Sequence, residues 1–79
     1  MDIKEAVRHR IIELCNMHEI TVNKLGTQCG ITQSTLKNIT SGRNNATVLT
    51  VKKICDGLDM TITDFFNTDT FKSLEQEMK

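Results

Sequence analysis

The chain has 79 residues with no proline, three phenylalanines, no tryptophan or tyrosine, and a formal net charge of zero. A chain of this length is one domain at most, buries only about 60% of the surface its unfolded form exposes, and with few aromatics favours helices over a β-sandwich. No run approaches the roughly 18 apolar residues of a membrane span, and the first residues lack the apolar core of a secretory leader. Three cysteines, Cys15, Cys29 and Cys55, form no CxxC pair. The odd number and the small-apolar settings imply reduced core thiols in a cytoplasmic protein.

In chain order, Ile3, Val7, Ile11, Leu14 and His18 recur at helical steps, with Ala6 and Met17 widening the stripe. This predicts a first helix over 3–18. Thr21 is placed to cap a second helix over 22–29, with Val22, Leu25 and Cys29 inward. Gly26 in its middle costs about 1 kcal/mol against alanine, so a neighbouring helix is expected to cross close by. Gly30 ends this helix in the left-handed conformation. Thr32 caps a third helix over 33–40 that buries Leu36 and Ile39, and Gly42 follows it. Thr47 caps a fourth, whose expected buried stripe is Val48, Val51, Ile54, Cys55 and Leu58. Asp59-Met60 is a turn. Thr61 caps a fifth helix over 62–66, with Asp64 near its positive end; Ile62, Phe65 and Phe66 are core or interface residues. The final segment, 67–79, reads equally as an acidic tail or as a sixth helix starting after Thr70 with Phe71, Leu74 and Met78 on one stripe.

The neutral total hides a strong asymmetry. Residues 1–19 carry a net charge of −1 and residues 56–79 a net charge of −4. Between them, residues 20–55 hold Lys24, Lys37, Arg43, Lys52 and Lys53 and no acid, a net charge of +5. Screening confines charge effects to about 8–10 Å, so a phosphate backbone responds to this island and not to the sum. Two short helices joined at Gly30 have the layout of a helix-turn-helix unit. Burying Leu36 and Ile39 turns Gln33, Ser34, Lys37 and Asn38 outward together. Gln and Asn side chains match base edges in the major groove, and a Glu there would repel phosphate.

The stretches TVNKLGTQCG, TQSTLKNITSG and NATVLTVKKICDGLDMTITDFF, in unbroken register from Thr21 to Phe66, resemble the Xre and phage-repressor family of helix-turn-helix proteins. The resemblance covers about four-fifths of the chain when the first helix is included. It implies an all-α, five-helix lambda-repressor-like bundle with a central helix-turn-helix, residues 1–66 being the DNA-binding domain. It implies base contacts from Gln33, Ser34, Lys37 and Asn38. Phosphate contacts would come from Thr35, Ser41 and Arg43, with Asn23 substituting for a neighbouring family glutamine that is Val22 here. The family also usually ends its recognition helix with a Glu, often paired to an Arg of the first helix; Thr40 stands there, which leaves Arg8 or Arg10 unpartnered or otherwise used. Asp59 replaces a family glycine. Related proteins often dimerise C-terminal to the recognition helix, which makes Phe65, Phe66, Phe71 and Leu74 the expected dimer surface.

Other chemistry finds little support. Cys15 and His18 are two ligands where a structural zinc needs four, so no metal is expected. Nucleophile–base pairs, paired carboxylates and a phosphate-binding glycine loop are missing from the sequence, so no enzyme, cofactor or small-molecule ligand is expected. The reading is sequence-specific binding of double-stranded DNA by a homodimeric transcriptional regulator, a repressor on a palindromic operator, away from membranes. The alternative is a protein-interaction module, such as an antitoxin or adaptor, with weak or no DNA binding.

Overall fold

The computed structural model describes residues 1–78; Lys79 lies outside them. Side-chain caps start the first five helices. Asp2 accepts from the Glu5 N–H at 2.8 Å and opens α1 (Ile3–Met17). Thr21, Thr32, Thr47 and Thr61 do the same for α2 (Val22–Cys29), α3 (Gln33–Thr40), α4 (Val48–Gly57) and α5 (Ile62–Phe66). Each cap satisfies an orphan amide and contributes about 1 kcal/mol. At α5 the cap is reciprocal, because the Asp64 carboxylate also accepts from the Thr61 N–H at 3.2 Å.

The helix ends are equally local. Gly30 takes φ +70°, and the following Ile31 N–H returns to Gly26 O at 2.9 Å. Glu19 and Asp59 both adopt φ +55°. The Ile20 and Met60 amides behind them bond five residues back, to Cys15 O and Cys55 O. Aspartate is among the few non-glycine residues that enter this region readily, so Asp59 can take the turn after α4 for which the resemblance implies a glycine.

Each of the first five helices sends at least one fully buried side chain inward: Ile11 and Leu14, Leu25, Leu36, Ile54 and Phe65. Gly26 has the tight neighbour expected of it. A Cβ there would lie 3.0 Å from Ile31 O and 3.4 Å from Leu36 Cδ2, so glycine lets α3 cross α2 at short range. Gly57 plays the same part between α4 and α2, where an added Cβ would sit 3.2 Å from Cys29 Cα and well inside contact with its Sγ. Gln28 Nε2 donates to Gly57 O at 2.8 Å across the same seam.

Several expectations are corrected. The first helix stops at Met17, with His18 as its C-cap residue. Met17 is exposed, because the stripe of α1 ends at Cys15. Val48 is not in the buried stripe of α4: it is 80% exposed, and the stripe begins at Val51. A sixth helix is present, but it is the single turn α6 (Asp69–Lys72), preceded by Thr68 and not by Thr70. Leu74 and Met78 lie beyond it in irregular chain and do not extend a stripe from Phe71. That chain folds back along α1, where Glu77 Oε2 accepts from the Ile3 N–H at 3.0 Å. Among the described residues no helix is long and apolar enough to cross a membrane.

Candidate nucleic-acid interface

The outward face of α3 follows from its inward one. Leu36 and Ile39 are buried, and Thr40 turns partly inward, its hydroxyl donating to Leu36 O and Lys37 O. At about 100° per residue, Gln33, Ser34, Lys37 and Asn38 then share the opposite side. Gln33, Ser34 and Lys37 are exposed and Asn38 is half-buried. All eight residues of α3 are free of acids.

Three features hold this face in place. Gln33 Nε2 donates to Asn23 O at 2.9 Å, tying the first turn of α3 to the first turn of α2. That bond uses one of the two amide protons and leaves Oε1 with the other proton to face outward. At the N-terminus, Thr32 Oγ1 accepts from the Thr35 N–H and donates to Thr35 Oγ1 at 2.8 Å. At the C-terminus, Asn38 O gathers the Arg43 and Asn44 amides, at 2.9 and 3.0 Å, and the Ser41 hydroxyl at 3.2 Å. Gly42 makes this turn possible with φ +83°. Ser41 and Arg43 are thereby held in one tight turn directly after the polar face.

The two arginines of α1 have separate employment. Arg8 Nη1 donates to Thr40 O, the last carbonyl of α3, at 3.3 Å, while Nη2 pairs with Glu5 at 3.1 Å. A cation at a helix C-terminus meets the negative end of its dipole. Arg8 therefore secures the end of α3 without the family's glutamate, although its Nε is buried without a hydrogen-bond partner. Arg10 donates to Phe65 O at 2.8 Å and Asp64 O at 3.0 Å, and its guanidinium lies 5.9 Å from the Phe65 ring centroid. It fastens α5 to α1.

Of the five cations in the basic island, Lys52 is paired with Asp56 at 2.6 Å on the outer side of α4. Lys24, Lys37, Arg43 and Lys53 are exposed and form no ion pair among the described residues. Lys37 and Arg43 flank the polar face with their charges uncompensated. Asn23 is exposed beside Gln33, while Val22 is half-buried and packs on the core.

The dimer candidates fare differently. Phe65 is fully buried and has no surface to offer a second chain. Phe66 packs edge-on against both Phe65 and Phe71, each with ring centroids at 4.8 Å. Phe66, Phe71 and Leu74 are each half-buried. The three rings are internal adhesive for α5 and α6, because a short helix can stay folded only by burying large side chains. Ile62 on α5 is exposed, as are Val48 and Leu49 at the start of α4; Val48 departs from the expected buried stripe, since a helical stripe in sequence does not reveal which turns project past their neighbours.

The family model described as helix-turn-helix matches residues 11–65. The crystal structure of the prophage Lp1 protein 11 is similar with a TM-score of 0.82 at 29% sequence identity, covering 94% of this chain and 100% of that one. No curated protein matches the chain.

Proposed function

Because the chain belongs to the helix-turn-helix family of DNA-binding regulators, we propose that it is a repressor that reads a palindromic operator as a two-fold dimer and blocks access of the polymerase. The single observation that carries this reading is the acid-free outward face of α3 with uncompensated Lys37 and Arg43 beside it. Gln33, Ser34, Lys37 and Asn38 face base edges in the major groove. Gln33, already held by Asn23 O, presents Oε1 and one N–H, the donor–acceptor pair that fits the N6/N7 edge of adenine. Asn23, Thr35, Ser41 and Arg43 contact phosphates and fix the register without reading sequence. One such helix touches few bases, so two copies on half-sites about 34 Å apart supply the affinity. The prophage origin of the similar crystal structure supports a phage-derived or mobile-element regulator acting in the cytoplasm.

A specific observation favours the protein-interaction reading: Val22, half-buried on the core, stands where relatives in the resemblance use a phosphate-holding glutamine. Selection from a randomised duplex pool at two salt concentrations separates the two. Recovery of a palindromic motif with a steep loss of affinity at the higher salt supports the operator reader, since each neutralised phosphate releases counterions. Weak retention at both salts, with no sequence enriched, refutes it in favour of protein interaction.

A further inference from the structure

Gly26 does more than let α3 cross α2, because one of the atoms crowding it belongs to the face assigned to DNA. A Cβ at Gly26 would lie 3.3 Å from Gln33 Nε2, besides its approach to Ile31 O and Leu36 Cδ2. Gly26 is buried, while Gln33 is exposed. The glutamine therefore does not extend freely from α3; its amide end folds back over the glycine. There Nε2 donates to Asn23 O at 2.9 Å. That oxygen belongs to the first turn of α2 and also accepts from the Thr27 hydroxyl at 3.2 Å. It is a fixed point of a helix backbone, which cannot swing as a side-chain acceptor would. The adjacent Val22 packs on the core and has no polar side-chain atom to offer instead.

We infer that the bare Cα of Gly26 and the Asn23 carbonyl form a seat that fixes the orientation of the Gln33 carboxamide, and that Gly26 thereby sets base discrimination without touching DNA; the inference rests on the operator reading above. A carboxamide carries an acceptor at one end and donors at the other. A glutamine free to rotate about its last torsion can exchange the two. Exchange in this seat would set Oε1 against the Asn23 oxygen, acceptor facing acceptor, and would forfeit the 2.9 Å bond. One orientation remains. Adenine offers an acceptor at N7 and a donor at N6, whereas guanine offers acceptors at both N7 and O6. The seated carboxamide meets adenine with both groups matched and guanine with Oε1 facing an acceptor. An unseated one can swing its amino group across both guanine acceptors and so tolerates the wrong base. It also has more rotamer freedom to lose on binding. Discrimination then comes from the penalty on the wrong base as much as from the contact with the right one. A β-carbon at residue 26 would displace the amide first, because Ile31 O is backbone and Leu36 is fully buried, whereas Gln33 is an exposed, flexible side chain.

The test uses the full chain with G26A, Q33A and the double variant, the fold of each checked by its thermal melt. All are titrated against the selected operator, its single-base-pair variants and a random duplex. The base pair that Gln33 reads is the one whose preference Q33A abolishes. The wild-type chain should favour adenine over guanine there by about tenfold or more. G26A should lower that preference to about the Q33A level and add nothing to Q33A in the double variant. It should keep discrimination at every other position and keep its affinity for the random duplex. An unchanged preference in G26A overturns the inference. So does an equal loss at all positions, which would make Gly26 a packing residue only, and so does a Q33A chain that alters no position. Nuclear magnetic resonance of the free wild-type chain reads the seat directly, even where G26A does not fold. Overhauser contacts from the Gln33 side-chain amide protons to backbone protons of Asn23 and Gly26 are expected, and their absence overturns the inference. A chain that shows these contacts and selects no duplex keeps the seat but refutes the operator reading, and the role in discrimination with it.

Discussion

Replacing Gly57 by alanine should loosen the seam between α2 and α4 on which the helix-turn-helix unit rests. The new Cβ would lie 3.2 Å from both Cα and Cβ of Cys29, and closer still to Sγ. Sulfur can rotate away about one torsion, but the Cys29 backbone cannot, and Gln28 clamps the same seam through Gly57 O. Overpacking of this kind costs about 1–3 kcal/mol. The helix preference of alanine over glycine offsets at most about 1 kcal/mol, and less at Gly57, the last residue of α4. A net loss of about 1–2 kcal/mol should lower the melting temperature by roughly 5–15 °C in a domain of this size. Circular dichroism melts of G57A, C29A and the double variant would measure it. Cys29→Ala removes the sulfur and keeps Cα and Cβ, so the double variant should recover only the part of the loss that the sulfur causes and retain the part due to the close backbone. An unchanged melting temperature for G57A would show that the two helices are farther apart than described.

The remaining predictions concern the DNA face and the thiols. Asn38→Ala should cost about 1–3 kcal/mol on the selected site and relax discrimination at one base position, while Arg43→Ala should weaken all duplexes about equally and reduce the salt slope by about one. Intact specificity in N38A would mean that α3 docks in another register. Burial raises the Cys15, Cys29 and Cys55 thiols above their ordinary value of 9.0, Cys29 further through its two cysteine neighbours. The unfolded chain therefore loses these protons first, so their stabilisation is complete below pH 9.0 and declines as pH rises towards the folded values. The urea midpoint should fall as pH rises above 9.0, and less so in C55A; equal slopes in the two proteins would count against buried thiols as the cause.

The capping threonines show why so much of this molecule was legible from the chain alone. Thr21, Thr32, Thr47 and Thr61 each act on an amide three residues away, and Gly30 acts on its own φ. These are local effects, so composition and spacing determine them, and with them the helix order and the polar, acid-free face of α3. The reach of Arg8 to Thr40 and of Arg10 to Phe65 spans 32 and 55 positions. Nothing at either end announces the partner, since a backbone carbonyl is the same at every residue. The aromatic residues are a harder case. Phe65, Phe66 and Phe71 have the same character whether they serve a core or an interface. Only the path of α5 and α6 across the bundle decided that they pack on each other. Periodicity identifies the side of a helix that is apolar; how far its neighbours extend along that side is a property of packing, and it settles which of those residues meet water.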